Sequence, residues 1–111
     1  MKVKLGEKTK ADFEAWYESQ NESWQYTEPE FKTFILLPID FQTGVYKRYF
    51  RDYYLEIEVE FNRNNWKYNA SVLSVANVVI IKYLGEYITP IIAEIAAINM
   101  AGEFREGELT E

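Results

Sequence analysis

The chain has 111 residues, of which 48% are hydrophobic, including seven Phe, nine Tyr and three Trp, and its net charge is −6. That length supports one hydrophobic core and is too short for two, and the aromatic content argues against disorder away from the two ends. With no Cys and no His, the sequence excludes a disulfide framework, a thiolate nucleophile, Cys-ligated zinc, and the commonest general base and transition-metal ligand.

The first residues carry Lys2 and Lys4 but no apolar run behind them, so a secretory signal is not expected and a cytoplasmic location is. Thr9 reads as a helix N-cap with Asp12 near the positive end of the dipole. Phe13, Trp16, Tyr17 and Gln20 then recur at helical spacing and predict an aromatic stripe facing inward. Residues 21–29 turn polar and read as a loop holding Trp24 and Tyr26.

Residues 31–37 form a short apolar run stopped by Pro38, as a buried strand would be. Asp40 is placed to cap a helix over residues 41–53. At 100° per residue, Phe41, Val45, Tyr49 and Tyr53 fall on one side of that helix and Lys47, Arg48 and Arg51 on the other. Residues 54–61 alternate strictly: Leu55, Ile57, Val59 and Phe61 point one way, and Glu56, Glu58 and Glu60 the other. Residues 62–65 have the composition of a hairpin loop. Residues 66–75 resume as the partner strand, with Trp66, Tyr68, Ala70 and Val72 on one face. Residues 78–84 are β-branched and read as a third antiparallel strand, extending to Ile88 across a kink at Gly85, with a helix as the alternative.

Thr89-Pro90 opens a last helix over residues 90–105, since Thr caps and Pro is preorganised in the first turn. Residues 106–111 are left as a frayed acidic tail. The whole chain is then a single domain, residues 1–111, comprising an N-terminal helix and loop (1–30), an α+β core (31–105) and the tail. The expected fold class is α+β in the order α-β-α-β-β-β-α, an antiparallel sheet with its helices on one face. Within it, the second helix, the three strands and the last helix follow the order α-β-β-β-α, which resembles the double-stranded-RNA-binding domain. That family grips phosphates with lysines at the start of its last helix, where this chain has Thr89-Pro90-Ile91-Ile92-Ala93-Glu94. The resemblance implies an architecture without the RNA contact.

Residues 1–30 carry four Lys against seven acids, residues 31–75 six bases against five acids, and residues 76–111 two bases against six acids. Acidic ends thus flank a near-neutral centre. Three groups of residues are candidates for function. Glu56, Glu58 and Glu60 could bind a divalent cation, engage a partner protein or imitate the phosphates of DNA, or simply form the solvated face of a strand. Lys47, Arg48 and Arg51, with Tyr46 and Tyr54 to stack on bases, could bind nucleic acid; the alternative is an ordinary amphipathic helix whose bases pair with Glu56 or Asp52. Ala93, Ala97, Met100, Ala101 and Phe104 form a second apolar stripe on the last helix. That stripe would admit either the first helix or a second copy of the chain, leaving monomer and homodimer both open.

No phosphate-binding glycine pattern, metal-ligand spacing or G-x-S-x-G is present, so no enzyme, metal or cofactor is expected. The longest apolar stretch is broken by Lys82, Glu86 and Glu94, so no membrane span is expected either. Finally, Leu37-Pro38-Ile39-Asp40-Phe41-Gln42-Thr43-Gly44-Val45-Tyr46, a strand hairpin, and Ala93-Glu94-Ile95-Ala96-Ala97-Ile98 together resemble short uncharacterised proteins of tailed phages and prophages, over residues 34–100. No function carries over from that group, but a small, acidic, cysteine-free phage protein without catalytic groups looks like an inhibitor or adaptor, so the leading expectation is a non-enzymatic domain that binds a host protein. The rival expectations are a nucleic-acid-binding module, which the net charge disfavours, and a structural homo-oligomer.

Overall fold

The computed structural model describes residues 2–23, 31–75 and 79–111. Its elements in chain order are α1 (Glu7–Ser23), α2 (Phe31–Phe34), α3 (Ile39–Asp52), β1 (Leu55–Asn62), β2 (Lys67–Ser74), β3 (Val79–Tyr87) and α4 (Pro90–Thr110). The three strands make one antiparallel sheet in the order β1-β2-β3. α4 lies across all three strands, α3 covers β1, and α1 packs on α2, α3 and α4. This is the α+β arrangement expected, with the helices α3 and α4 against one face of the sheet.

The core follows from residue spacing. Phe13, Trp16 and Tyr17 of α1 meet Phe34, Val45, Tyr46, Tyr49 and Phe50 from α2 and α3, and α4 contributes Ala93, Ala97, Ile98 and Ala101, all fully buried. Phe13 is at the centre of the aromatic cluster, its ring centroid 4.6 Å from Tyr46 and 5.2 Å from Tyr49. Offset and edge-on ring pairs of this kind add about 0.5 to 1.5 kcal/mol each beyond the area they bury. Around α3 the buried stripe is Val45, Tyr46, Tyr49 and Phe50, whereas Phe41, expected inward, is 41% exposed.

Several expected elements take another form. Residues 31–37 are not a strand but one helical turn, α2, followed by a bend. Phe31 and Phe34 lie three residues apart, and a helical turn brings both rings to one side: Phe31 to 5.9 Å from Phe13 and Phe34 to 5.0 Å from Tyr17. A strand would have pointed these rings to opposite faces and needed a sheet neighbour. α1 begins at Glu7, ahead of Thr9, and the Lys10 N–H donates to the Gly6 carbonyl at 2.8 Å. Asp40 is in the first turn of α3 but does not cap it; Pro38 occupies the cap position and its carbonyl accepts from Phe41 and Gln42.

β3 is a strand, and the chain bends within it at Glu86, which has φ 70, rather than at Gly85. The register skips there: Tyr68 pairs with Tyr87 and Ala70 with Leu84, so the single residue Asn69 faces two, and its side chain accepts the Glu86 N–H at 3.3 Å. Thr89 caps α4 as its sequence predicts, accepting the Ile92 N–H at 3.3 Å. The helix then runs through the supposed acidic tail to Thr110. The loop expected around Trp24 and Tyr26, and the first expected residue of the third strand, Val78, lie outside the described residues.

Candidate functional site

β1 builds the carboxylate row. Leu55 and Ile57 enter the core, so Glu56, Glu58 and Glu60 take the opposite face, about 7 Å apart, opposite Leu73, Ser71 and Asn69 of β2. The three are not equivalent. Arg51, in the last turn of α3, forks onto Glu56, with Nε 3.0 Å from Oε2 and Nη2 3.0 Å from Oε1. The hydrogen bond and charge of Glu56 raise the Arg51 guanidinium further above its ordinary value. Glu58 and Glu60 are exposed and, among the described residues, have no cation within ion-pair distance.

Beyond Glu60 the hairpin turns. The Trp66 N–H donates to the Asn62 carbonyl at 2.9 Å, and the side chains of Asn62 and Asn65 accept the N–H groups of Asn64 and Lys67 at 2.9 and 3.1 Å. These bonds close a tight loop and leave Trp66 at φ 58, in the left-handed region. A β-carbon there costs about 1 to 2 kcal/mol. The sequence places Trp66 within the second strand, on the face of Tyr68, Ala70 and Val72. Instead it ends the loop, 78% exposed, its ring edge-on to Phe61 at 5.8 Å. Phe61, itself 45% exposed, lies 5.2 Å from Tyr68. Arg63 and Lys67 are exposed beside this aromatic tip.

The proposed basic face of α3 is largely neutralised. Arg51 is held by Glu56, and Lys47 Nζ lies 3.4 Å from Glu94 of α4; Arg48 is exposed. Tyr46, one of the two residues considered for stacking on bases, is 7% exposed with its ring inside the aromatic cluster. Burial pushes its phenol up to about 12. Tyr54 is 64% exposed at φ 64, immediately after the last turn of α3. The pairing with Glu56 expected of an ordinary amphipathic helix is what the structure contains.

The small-residue stripe of α4 is used within the chain. Ala93, Ala97 and Ala101 are fully buried, Met100 is half-buried, and only Phe104 reaches the surface, 39% exposed. At Gly102 the neighbour is the N-terminal segment: a β-carbon added there would lie 2.8 Å from Leu5 Cδ2.

Two polar clusters that the sequence did not single out lock α1 in place. Glu106 accepts the N–H groups of Lys8 and Thr9, at 3.0 and 2.7 Å, and the Thr9 hydroxyl at 2.6 Å. It therefore caps the start of α1 from the far end of the chain, and the Thr9 contacts hold its carboxyl below the usual glutamate range. Gly6 leaves the space that the carboxyl occupies, since a β-carbon there would collide with it. In the second cluster Asp12 accepts the Tyr49 hydroxyl at 2.6 Å and faces Arg105 at 3.3 Å, while Arg105 lies 3.6 Å over the Tyr53 ring. Burial, and then the bond to Asp12, hold the Tyr49 phenol far above its ordinary value. Asp52 accepts Trp16 Nε1 at 2.7 Å and is thereby a structural partner.

Among the described residues no group of three or more carboxylates is arranged to hold a metal ion, and no helix is long and apolar enough to cross a membrane. Comparison with known proteins returns no matching family model, no matching curated protein and no matching solved structure.

Proposed function

We propose that the chain is a non-enzymatic protein-binding domain whose contact surface is the aromatic tip of the β1–β2 hairpin, with Glu58 and Glu60 on the other face of β1 as a second, acidic contact. One observation carries this reading: Trp66 is held at φ 58 and 78% exposed, its ring edge-on to the half-open Phe61. Strain and exposure of a large aromatic are both unfavourable for folding alone and are characteristic of residues kept for contact. Binding hot spots are rich in Trp, Tyr and Arg, and Trp66, Tyr68 and Arg63 supply that chemistry at one end of the sheet. The resemblance to short tailed-phage proteins makes a host protein the natural partner and an inhibitor or adaptor the natural role.

The phosphate-mimicry version of this reading rests on two carboxylates, not three, because Arg51 neutralises Glu56. The nucleic-acid alternative is the weaker one: Lys47 and Arg51 are paired with acids and Tyr46 is buried.

The test is affinity capture from host cells with nuclease present, using the wild type, Trp66→Gly, the Glu58→Lys/Glu60→Lys pair and, as an exposed control, Leu36→Ser. A stoichiometric protein kept by the wild type and by Leu36→Ser but lost with Trp66→Gly is the expected result. Capture of nucleic acid in place of protein, or capture indifferent to Trp66, overturns the reading.

A further inference from the structure

On the far side of the helices from the carboxylate row, the N-terminal segment, α1, the α2–α3 turn and the start of α4 enclose a groove of about 770 Å³. Its walls are apolar. Val3, Ile39, Ile91 and Ile92 line it half-buried, and Ile35 stands at its mouth, 53% exposed. Lys2, Lys4 and Lys10 also line it, all exposed and, among the described residues, without a carboxylate at ion-pair distance. A chain of net charge −6 thus gathers three of its eight lysines around one apolar cleft.

The groove is braced from both sides. The Asn99 side chain accepts the Lys4 N–H at 2.7 Å and donates to the Lys2 carbonyl at 3.0 Å, fixing the extended segment that carries two of the lysines. Across the cleft, Gln42 Nε2 donates to the Ile35 and Leu37 carbonyls at 3.2 and 2.7 Å, fixing the turn that carries Ile35. Its size falls within the roughly 300 to 1,000 Å³ of small-molecule sites, which are mostly apolar, largely preformed and oriented by a few polar groups.

We propose that this groove binds a free anionic amphiphile, a single hydrocarbon chain ending in a carboxylate or a head group of like charge. The chain lies along the isoleucine walls and the head group meets Lys2, Lys4 and Lys10. A neutral apolar ligand would make no use of the lysines. An extended peptide would bring backbone N–H and C=O groups that such walls leave unpaired. The site is independent of the hairpin tip, so either proposal can fail alone.

The experiment is calorimetric titration with dodecanoate below its micelle concentration, with dodecyltrimethylammonium as the cationic counterpart. One saturable dodecanoate site and no saturable site for the cation are expected. Affinity should fall about tenfold in the Lys2→Glu/Lys4→Glu/Lys10→Glu variant as charge-assisted contacts are lost. It should fall also in Ile35→Ser, and stay unchanged in Leu36→Ser, with circular dichroism confirming that each variant is folded. Equal binding of anion and cation, affinity indifferent to the lysines, multiple sites with loss of structure, or sedimentation with anionic phosphatidylglycerol vesicles without dodecanoate binding would each overturn the proposal.

Discussion

Replacing Trp66 by Gly separates folding from binding, because the folding terms nearly cancel. Removing the β-carbon at φ 58 relieves about 1 to 2 kcal/mol. Against that, glycine gives the unfolded chain more freedom, about 0.4 to 1 kcal/mol. The indole is 78% exposed, so only about a fifth of its surface is covered, and losing that contact together with the edge-on pair to Phe61 costs about 1 to 1.5 kcal/mol. Stability measured by urea unfolding should therefore stay between about 0.6 kcal/mol above and about 1.5 kcal/mol below that of the wild type. Binding should respond much more strongly: an aromatic hot spot is worth about 2 kcal/mol or more, a loss of roughly thirtyfold in affinity, read by titrating the captured partner. If the variant loses more than about 2 kcal/mol of stability, Trp66 is a structural residue; if the affinity holds, the hairpin tip is not the interface. Either result refutes the argument.

Tyr54→Gly should raise stability by about 0.5 to 1 kcal/mol, since Tyr54 occupies the left-handed position after α3 that glycine ordinarily takes and is 64% exposed; urea unfolding measures it. Gly44→Ala should stabilise by about 0.5 to 1 kcal/mol, because a β-carbon there meets nothing within 4 Å in the middle of α3, and thermal unfolding should show a midpoint about 3 to 6 °C higher. The Glu106 carboxyl has a folded-state pKa below its ordinary 4.5, so its contribution is present above that pH and is lost as pH falls through the depressed value. Glu106→Gln should consequently be less stable than the wild type at neutral pH, with the gap narrowing under acid; a gap constant with pH would show that the carboxylate does not cap α1.

What the sequence made legible was local. The alternation of Leu55 to Phe61 predicts β1 and its two faces, and Thr89-Pro90 predicts the start of α4, because in each case the signal and the structure are set within a few residues. Residues 31–37 form a helical turn where the sequence suggests a strand, because a short apolar run has no period to choose between the two. The choice was made by α1, whose Phe13 and Tyr17 draw Phe31 and Phe34 to one side. Trp66 looked like a strand residue because aromatics favour strands, but loop closure claimed it for a backbone conformation that its side chain opposes. The basic stripe of α3 was visible, whereas its neutralisation by Glu56 and Glu94 depended on packing. The lysine-rimmed groove left one trace, the alternation of Lys2 and Lys4 in an extended segment; Lys10 and the isoleucines of α4 join it only through the tertiary fold.

The capping of α1 by Glu106 also orders events in time. Thr9 and Glu106 stand 97 positions apart, and Asp12 and Arg105 stand 93 apart. During synthesis the aromatic side of α1 can settle on Phe34, Tyr46 and Tyr49 once α3 has emerged, but its first turn must wait for the last turns of α4. Contacts at such separation close late and slow the approach to the native state. The Lys8 and Thr9 amides therefore serve as a completion mark. They stay open in any chain that stalls before residue 106 and close only once α4 has formed, so chains truncated before residue 106 should be more protease-sensitive at the entry to α1.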